Sequence, residues 1–145
     1  MSIRILLTGG TIDKFYSVEE GELTFGESHF DEMLDRANVT ADVVVEELML
    51  KDSLEIDTVE REQILEACEE CDEECVLITH GTDTMVETAR LLGDAALDKC
   101  IVLVGAMIPY SVRDSDAFFN LGFALSAVQF APPGVYIAMN GELFD

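Results

Sequence analysis

Two short stretches of this chain place threonine hydroxyls where chemistry is possible. Thr8-Gly9-Gly10-Thr11-Ile12 directly follows the apolar run Ile3–Leu7, and Thr79-His80-Gly81-Thr82-Asp83-Thr84 directly follows Val76-Leu77-Ile78. Each sets a hydroxyl in a glycine-containing turn at the exit of a strand-like segment. Open α/β sheets bind ligands outside the carboxyl ends of their strands. Two hydroxyls and the Asp83 carboxylate can therefore meet over one pocket, which points to nucleophilic catalysis. A threonine hydroxyl is a weak nucleophile, so it needs a base, and the oxyanion it generates needs oriented donors. Gly9-Gly10 permits a tight turn and close backbone approach to a ligand. The plainer readings stand beside these. Gly-Gly-Thr alone is a weak signal, and the G-x-G-x-x-G spacing of nucleotide folds is absent. Thr84-Met85-Val86-Glu87 reads as a capping box, with Thr82 and Asp83 as ordinary residues before a helix.

The elements that must position these turns are legible as alternating patterns. Ile3–Leu7, Val43–Leu48, Cys75–Thr79, Ile101–Gly105 and Val135–Met139 are rich in Val, Ile and Leu without clean alternation. That is the pattern of parallel strands covered on both faces. Helical patterns fall at Phe30–Ala37, Thr58–Cys71, Thr84–Ala96 and Asp116–Phe130, with Asp57 and Glu60 as a capping box for the second. The β-α-β order predicts an α/β fold, a doubly wound and mostly parallel sheet sandwiched between helices. Asp13 to Phe25 is polar and turn-rich, and is expected to form a loop or small hairpin over the pocket mouth.

Composition narrows the partners. The 145 residues fit one domain, 1–145, with 49% hydrophobic residues for its core. No apolar run approaches the ~20 residues of a membrane span, and no basic-then-apolar leader follows Met1. A cytoplasmic protein with no membrane partner is expected. Thirty acids against eight bases give a net charge of −22, which repels nucleic acid and anionic membranes. Either a strongly solvated surface or adaptation to a high-salt cytoplasm accounts for that charge. Cys68, Cys71 and Cys75 sit at C-x2-C-x3-C spacing. Cys68 and Cys71 fall on the second helix, Cys75 and Cys100 open strands, and no second Cys/His pair completes a zinc site. Reduced thiols are expected, with neither a metal nor a cofactor.

Together the two turns resemble the signature motifs of bacterial-type L-asparaginases. The resemblance continues through Glu87-Thr88-Ala89, Val104-Gly105-Ala106-Met107-x-Pro109, Asp116-x-x-x-Asn120-Leu121, Gly134-Val135 to Met139-Asn140, and Asp52-Ser53. It implies hydrolysis of the side-chain amide of asparagine, and in some members glutamine, through a threonine acyl-enzyme. It makes Thr11 the nucleophile, with Thr82 as second hydroxyl and Asp83 as its acidic neighbour and contact for the substrate amino group. Ser53, in the Asp52-Ser53 segment, takes the substrate carboxylate, and the Ala106 backbone lies at the amide. Gly10 and Gly81 belong to the two pocket turns, and backbone N–H groups near Gly10 and Thr82 stabilise the oxyanion. Tyr16 matches the mobile-loop tyrosine, or serves as an aromatic anchor for that loop.

Three departures accompany the resemblance. The family's smaller C-terminal domain is absent from a chain ending at Asp145. The family's Thr-Lys-Thr lysine, partner of the second threonine, falls beyond that point. Leu54 and Ile108 stand where many members carry polar and arginine residues. The resemblance implies an amino-acid substrate and a homo-oligomer. A non-catalytic amino-acid-binding module and an amidotransferase-associated component remain as alternatives.

Overall fold

A computed structural model describes all 145 residues. Six strands form one sheet: β1 (Ile3–Gly9), β4 (Val43–Lys51), β5 (Cys75–Thr79), β6 (Cys100–Val104), β7 (Gly134–Met139) and β8 (Glu142–Phe144). Their order is β4-β1-β5-β6-β7-β8. The first five are parallel, and β8 joins β7 antiparallel. Helices α1 (Phe30–Arg36), α2 (Thr58–Glu70), α3 (Met85–Asp94) and α4 (Ala117–Phe130) fill the crossovers.

The sheet is covered on both sides, as its apolar runs require. Ile3, Ile5, Leu7, Leu77, Val102 and Val104 pack with Phe30 and Met33 of α1 and Leu121 and Leu125 of α4. The alternate residues Leu6, Val76, Ile78, Ile101 and Leu103 pack with Ile64 of α2 and Met85 and Leu92 of α3. Strands β5 and β6 are buried throughout. Edge strand β4 is only partly covered, and its neighbour's Arg4 ties Glu46 to Glu73 with contacts of 3.3 and 3.0 Å.

In chain order the five parallel strands lie 2-1-3-4-5. The order reverses between β1 and β5, and such a switch point opens a crevice at the strand carboxyl ends. Both threonine turns emerge there. Thr8 and Thr79, fully buried, stitch the strands together as they leave the sheet: Thr8 Oγ1 donates to the Thr79 carbonyl at 2.5 Å, and the Thr8 N–H to Thr79 Oγ1 at 3.3 Å.

The segment after the first turn is a hairpin of β2 (Phe15–Ser17) and β3 (Glu22–Thr24), separate from the main sheet. Three details depart from the sequence-based expectation, and a fourth, the Asp57 cap, agrees with it in its backbone half. β8 is an additional strand. Asp57 accepts the Glu60 N–H at 2.8 Å, which is the backbone half of the expected box. Thr84 precedes α3, but its side chain makes no cap; a partner elsewhere in the chain takes it. Cys71 lies just beyond α2 rather than on it.

All four thiols are free. Burial holds the Cys68 thiol up at about 12 and Cys100 at about 11, so both stay protonated and poorly nucleophilic. No helix is long and apolar enough to cross a membrane. Residues 117–141, spanning α4 and β7, contain no Asp, Glu, Lys or Arg.

Candidate active site

The two turns touch through their glycines. Gly10 has φ of +82° and Gly9 +103°, backbone that side chains rarely adopt. A Cβ on Gly10 would collide with the Gly81 nitrogen and lie 2.6 Å from its Cα. Glycine at these positions thus lets backbone lie on backbone, and sets the turns that carry Thr11 and Thr82 against each other at this end of the sheet. Thr11 opens a single 3-10 turn, Thr11–Asp13, held by Asp13 N–H to Gly10 O and Lys14 N–H to Thr11 O, both 3.2 Å. Thr11 and Thr82 are half-buried and Asp83 is exposed. The Thr82 and Asp83 N–H groups have no acceptor in the chain.

A register shift delivers the third component. Leu7 pairs with Glu47, but Gly9 pairs with Lys51, so β4 carries extra residues at its end. Such a bulge re-aims the residues beyond it, and Gly10 N–H then closes on the Lys51 carbonyl at 2.9 Å. Ser53 is thereby buried against Gly81, where a Cβ would lie 2.8 Å from Ser53 Oγ. Ser53 Oγ accepts the Thr84 N–H at 3.1 Å, and Thr84 Oγ1 donates to the Ser53 carbonyl at 2.9 Å. This two-point clasp is why Thr84 does not cap its helix. The Ser53 hydroxyl proton has no acceptor within the chain.

The far wall follows β6. Gly105 packs so that a Cβ would sit 2.5 Å from the His80 carbonyl and 3.5 Å from Thr82 Cγ2, and Ala106 beside it is buried. Asn120 Nδ2 holds the Gly105 carbonyl at 2.9 Å, while its Oδ1 accepts the Asn140 N–H at 3.1 Å. Asp116 accepts the Met107 and Ile108 N–H groups, each at 2.9 Å. In the sequence Asp116 and Asn120 belong to a motif without an evident role; in the fold they shape this loop.

Lys14 is the residue that sequence reasoning missed. Its Nζ lies 2.8 Å from Asp52 and 5.4 Å from the centre of the Phe25 ring, at the root of the hairpin. Asp52 is thus engaged by the chain itself. Asp13, buried, accepts from Ser28 Oγ at 2.9 Å and from His29 N–H at 3.0 Å, joining the segments that enter and leave the hairpin at the same root. Burial pushes the Asp13 carboxyl above its ordinary range, against those two donors. Tyr16 sits mid-hairpin opposite Leu23, 58% exposed, and no hydrogen bond joins it to the Thr11 turn. A groove of about 680 Å³ runs from Thr82 between α3 and β7–β8, lined by Met85, Val86, Ala89, Ile137 and Phe144. It is mostly apolar and its lining includes neither Thr11 nor Ser53; Thr82 is the one residue of the two turns that it reaches.

Residues 2–145 match the family model described as "Asparaginase, N-terminal". The chain belongs to the asparaginase family. Among solved structures, this asparaginase-family chain is similar to the thermostable L-asparaginase from Thermococcus kodakarensis, with a TM-score of 0.86 and 29% identity over 99% of this chain and 45% of that one. It is also similar to a probable cytoplasmic L-asparaginase from Campylobacter jejuni, with a TM-score of 0.81 and 33% identity over 97% and 46%. Among curated proteins it is 32% identical to the D subunit of the glutamyl-tRNA(Gln) amidotransferase of Methanococcus vannielii, over 99% of this chain and 35% of that protein. L-asparaginase 2 of Escherichia coli is 42% identical over 48% of this chain and 21% of its own length. The asparaginase-family chain thus spans about a third of the first of these curated relatives, and under half of either solved neighbour.

Proposed function

We propose that this chain is an amidohydrolase that hydrolyses the side-chain amide of L-asparagine, with L-glutamine as the second substrate to test. The observation that carries the reading is the backbone contact of Gly10 with Gly81, which gathers the Thr11 and Thr82-Asp83 turns at the sheet's switch point. In this reading Thr11 Oγ attacks the amide carbon, and free N–H groups at the turns, Thr82 among them, receive the oxyanion. The carbon–nitrogen bond breaks, the hydroxyl proton leaves with the nitrogen as ammonia, and an ester on Thr11 remains. Water cleaves that ester, releasing aspartate and restoring the hydroxyl. Ser53 donates to the substrate α-carboxylate, Asp83 pairs with its ammonium, Ala106 lines the amide pocket, and Tyr16 closes over Thr11 with the hairpin. The 145 residues act as one domain in a cytoplasmic homo-oligomer.

Ammonia release from asparagine and glutamine, measured on the native protein and on Thr11→Ala, tests this. Turnover lost in the variant supports the assignment, and equal rates remove Thr11 as nucleophile.

One observation favours a pocket that binds without turning over. The chain's three lysines are all committed elsewhere: Lys14 to Asp52 and Lys51 to Glu60 at 2.8 Å each, and Lys99 to the Cys71 carbonyl at 2.5 Å. None serves Thr82 as a base. Binding of aspartate with no ammonia at any pH selects that reading. The resemblance to the amidotransferase protein of Methanococcus vannielii over nearly the whole chain favours an amidotransferase component. Co-purification with a partner protein selects it.

A further inference from the structure

His80 is fully buried, with its ring on the Gly81 carbonyl of the second turn, and takes no part in the reaction scheme proposed for Thr11. Both ring nitrogens are used. Nδ1 lies 2.7 Å from the Gly81 carbonyl, and Nε2 lies 2.8 Å from Thr88 Oγ1. Thr88 Oγ1 in turn receives Arg61 Nε at 3.2 Å. A carbonyl only accepts, so Nδ1 carries the proton. Nε2 of the neutral ring then accepts from the Thr88 hydroxyl, whose oxygen accepts from Arg61. Every donor in the line Arg61, Thr88, His80, Gly81 thus has one acceptor, and the tautomer is fixed. Burial, with Arg61 nearby, lowers the pKa of the ring, and it stays neutral in keeping with this line.

The consequence lies one peptide further. The chain has no cis peptide. In a trans peptide the N–H points opposite to the carbonyl before it. His80 draws the Gly81 carbonyl inward, so the Thr82 N–H is turned outward, and that N–H has no acceptor in the chain. Gly81 has no side chain to resist, and Gly10 and Ser53 hold it from either side. We infer that His80 is a positioning residue that holds the Gly81–Thr82 peptide with its N–H aimed at the substrate oxygen. The inference rests on the amidohydrolase reading for its substrate, and on the hydrogen bonds alone for its geometry.

Asparagine and glutamine side chains separate the two bonds of the ring. The amide of His80→Asn sits where Nδ1 was and can still hold the Gly81 carbonyl. His80→Gln reaches Thr88 but releases that carbonyl. Loss of one oxyanion donor costs about 10²–10³ in kcat. His80→Gln is therefore expected to lower kcat for asparagine by about 10- to 100-fold with KM little changed, a partial form of that loss. His80→Asn is expected to recover most of the rate, and thermal melts confirm that both variants are folded. Equal losses in the two variants, or no loss in either, overturn the inference.

A second readout does not need turnover. In 15N-threonine-labelled protein, the Thr82 amide, assigned with Thr82→Ser, is expected to shift when L-aspartate binds. That shift should survive in His80→Asn and vanish in His80→Gln. A wild-type protein that binds aspartate without moving this amide overturns the inference even if it is active. An inactive protein whose Thr82 amide responds as described removes the hydrolase reading and keeps the positioning role. If the chain neither binds aspartate nor releases ammonia, both fail.

Discussion

Gly10 and Gly81 lie in direct backbone contact, although 71 residues separate them: a methyl group on the first would collide with the nitrogen of the second. Gly10→Ala therefore meets two costs at once. An L side chain at φ of +82° costs about 1–2 kcal/mol, and forcing the turns apart adds about 1–3 kcal/mol. Denaturant unfolding should show a drop of that combined size. Gly21, also at positive φ but with open space around it, provides the control, and Gly21→Ala should show the backbone cost alone.

Ser53→Ala removes the acceptor of the Thr84 N–H and the hydroxyl assigned to the substrate carboxylate. Leaving that N–H unpaired costs about 1–3 kcal/mol of stability. KM for asparagine should rise while kcat falls less. Thr84→Val, which loses only the bond to the Ser53 carbonyl, should destabilise without a comparable rise in KM. Unchanged KM in Ser53→Ala removes the serine from substrate binding.

Asp13 gives a pH signature. Its carboxyl titrates above its ordinary range in the folded chain, because burial penalises the charged form. A raised folded pKa contributes stability below the unfolded value of 3.8, and that contribution is lost as pH rises through the folded value. Asp13→Asn keeps an acceptor for Ser28 and His29 and removes the charge. Its melting temperature should gain on wild type as pH climbs from 3.8 toward neutrality. A difference that is flat with pH, or of opposite sign, contradicts the assignment.

The Lys14–Asp52 pair fastens the hairpin root, with the lysine side chain 16% and the aspartate 42% exposed. A pair so placed contributes at most about 1 kcal/mol and weakens with salt. Lys14→Met should speed proteolytic nicking within residues 15–24 while the global melt moves little. Cleavage rates equal to wild type would mean the hairpin is held by other contacts.

The net charge of −22 makes a prediction opposite in sign to that local one. The Debye length shrinks from about 30 Å at 0.01 M salt to about 3 Å at 1 M, which relieves repulsion among carboxylates across the whole surface. The melting temperature should rise from low salt to molar potassium chloride. A salt-independent melt favours the plain solvated surface over the high-salt adaptation.

The five parallel strands and four helices are legible in the sequence because each depends on local pattern. Ile3–Leu7 and Ile101–Val104 read as buried strands from composition alone. β8 does not, since Glu142-Leu143-Phe144 is three exposed residues whose only mark is pairing with β7. Thr84 misleads for a related reason. Its capping-box spacing is real, but Ser53, 31 residues earlier, satisfies it instead. Lys14 meets Asp52 across 38 residues, and nothing in the run Asp13-Lys14-Phe15 announces it. The turns themselves are visible as motifs; their contact is set by a sheet order that no single segment encodes.

The uncharged stretch 117–141 has a consequence for how this molecule meets others. All 38 charged side chains lie on the remaining 120 residues. Helix α4 therefore turns Phe119, Ser126 and Phe130 outward as a neutral window in an otherwise anionic envelope. A second acidic body meets like charge on other segments of the chain and none on the side chains of this helix. Repulsion between such bodies acts at long range, and this helix adds none of its own.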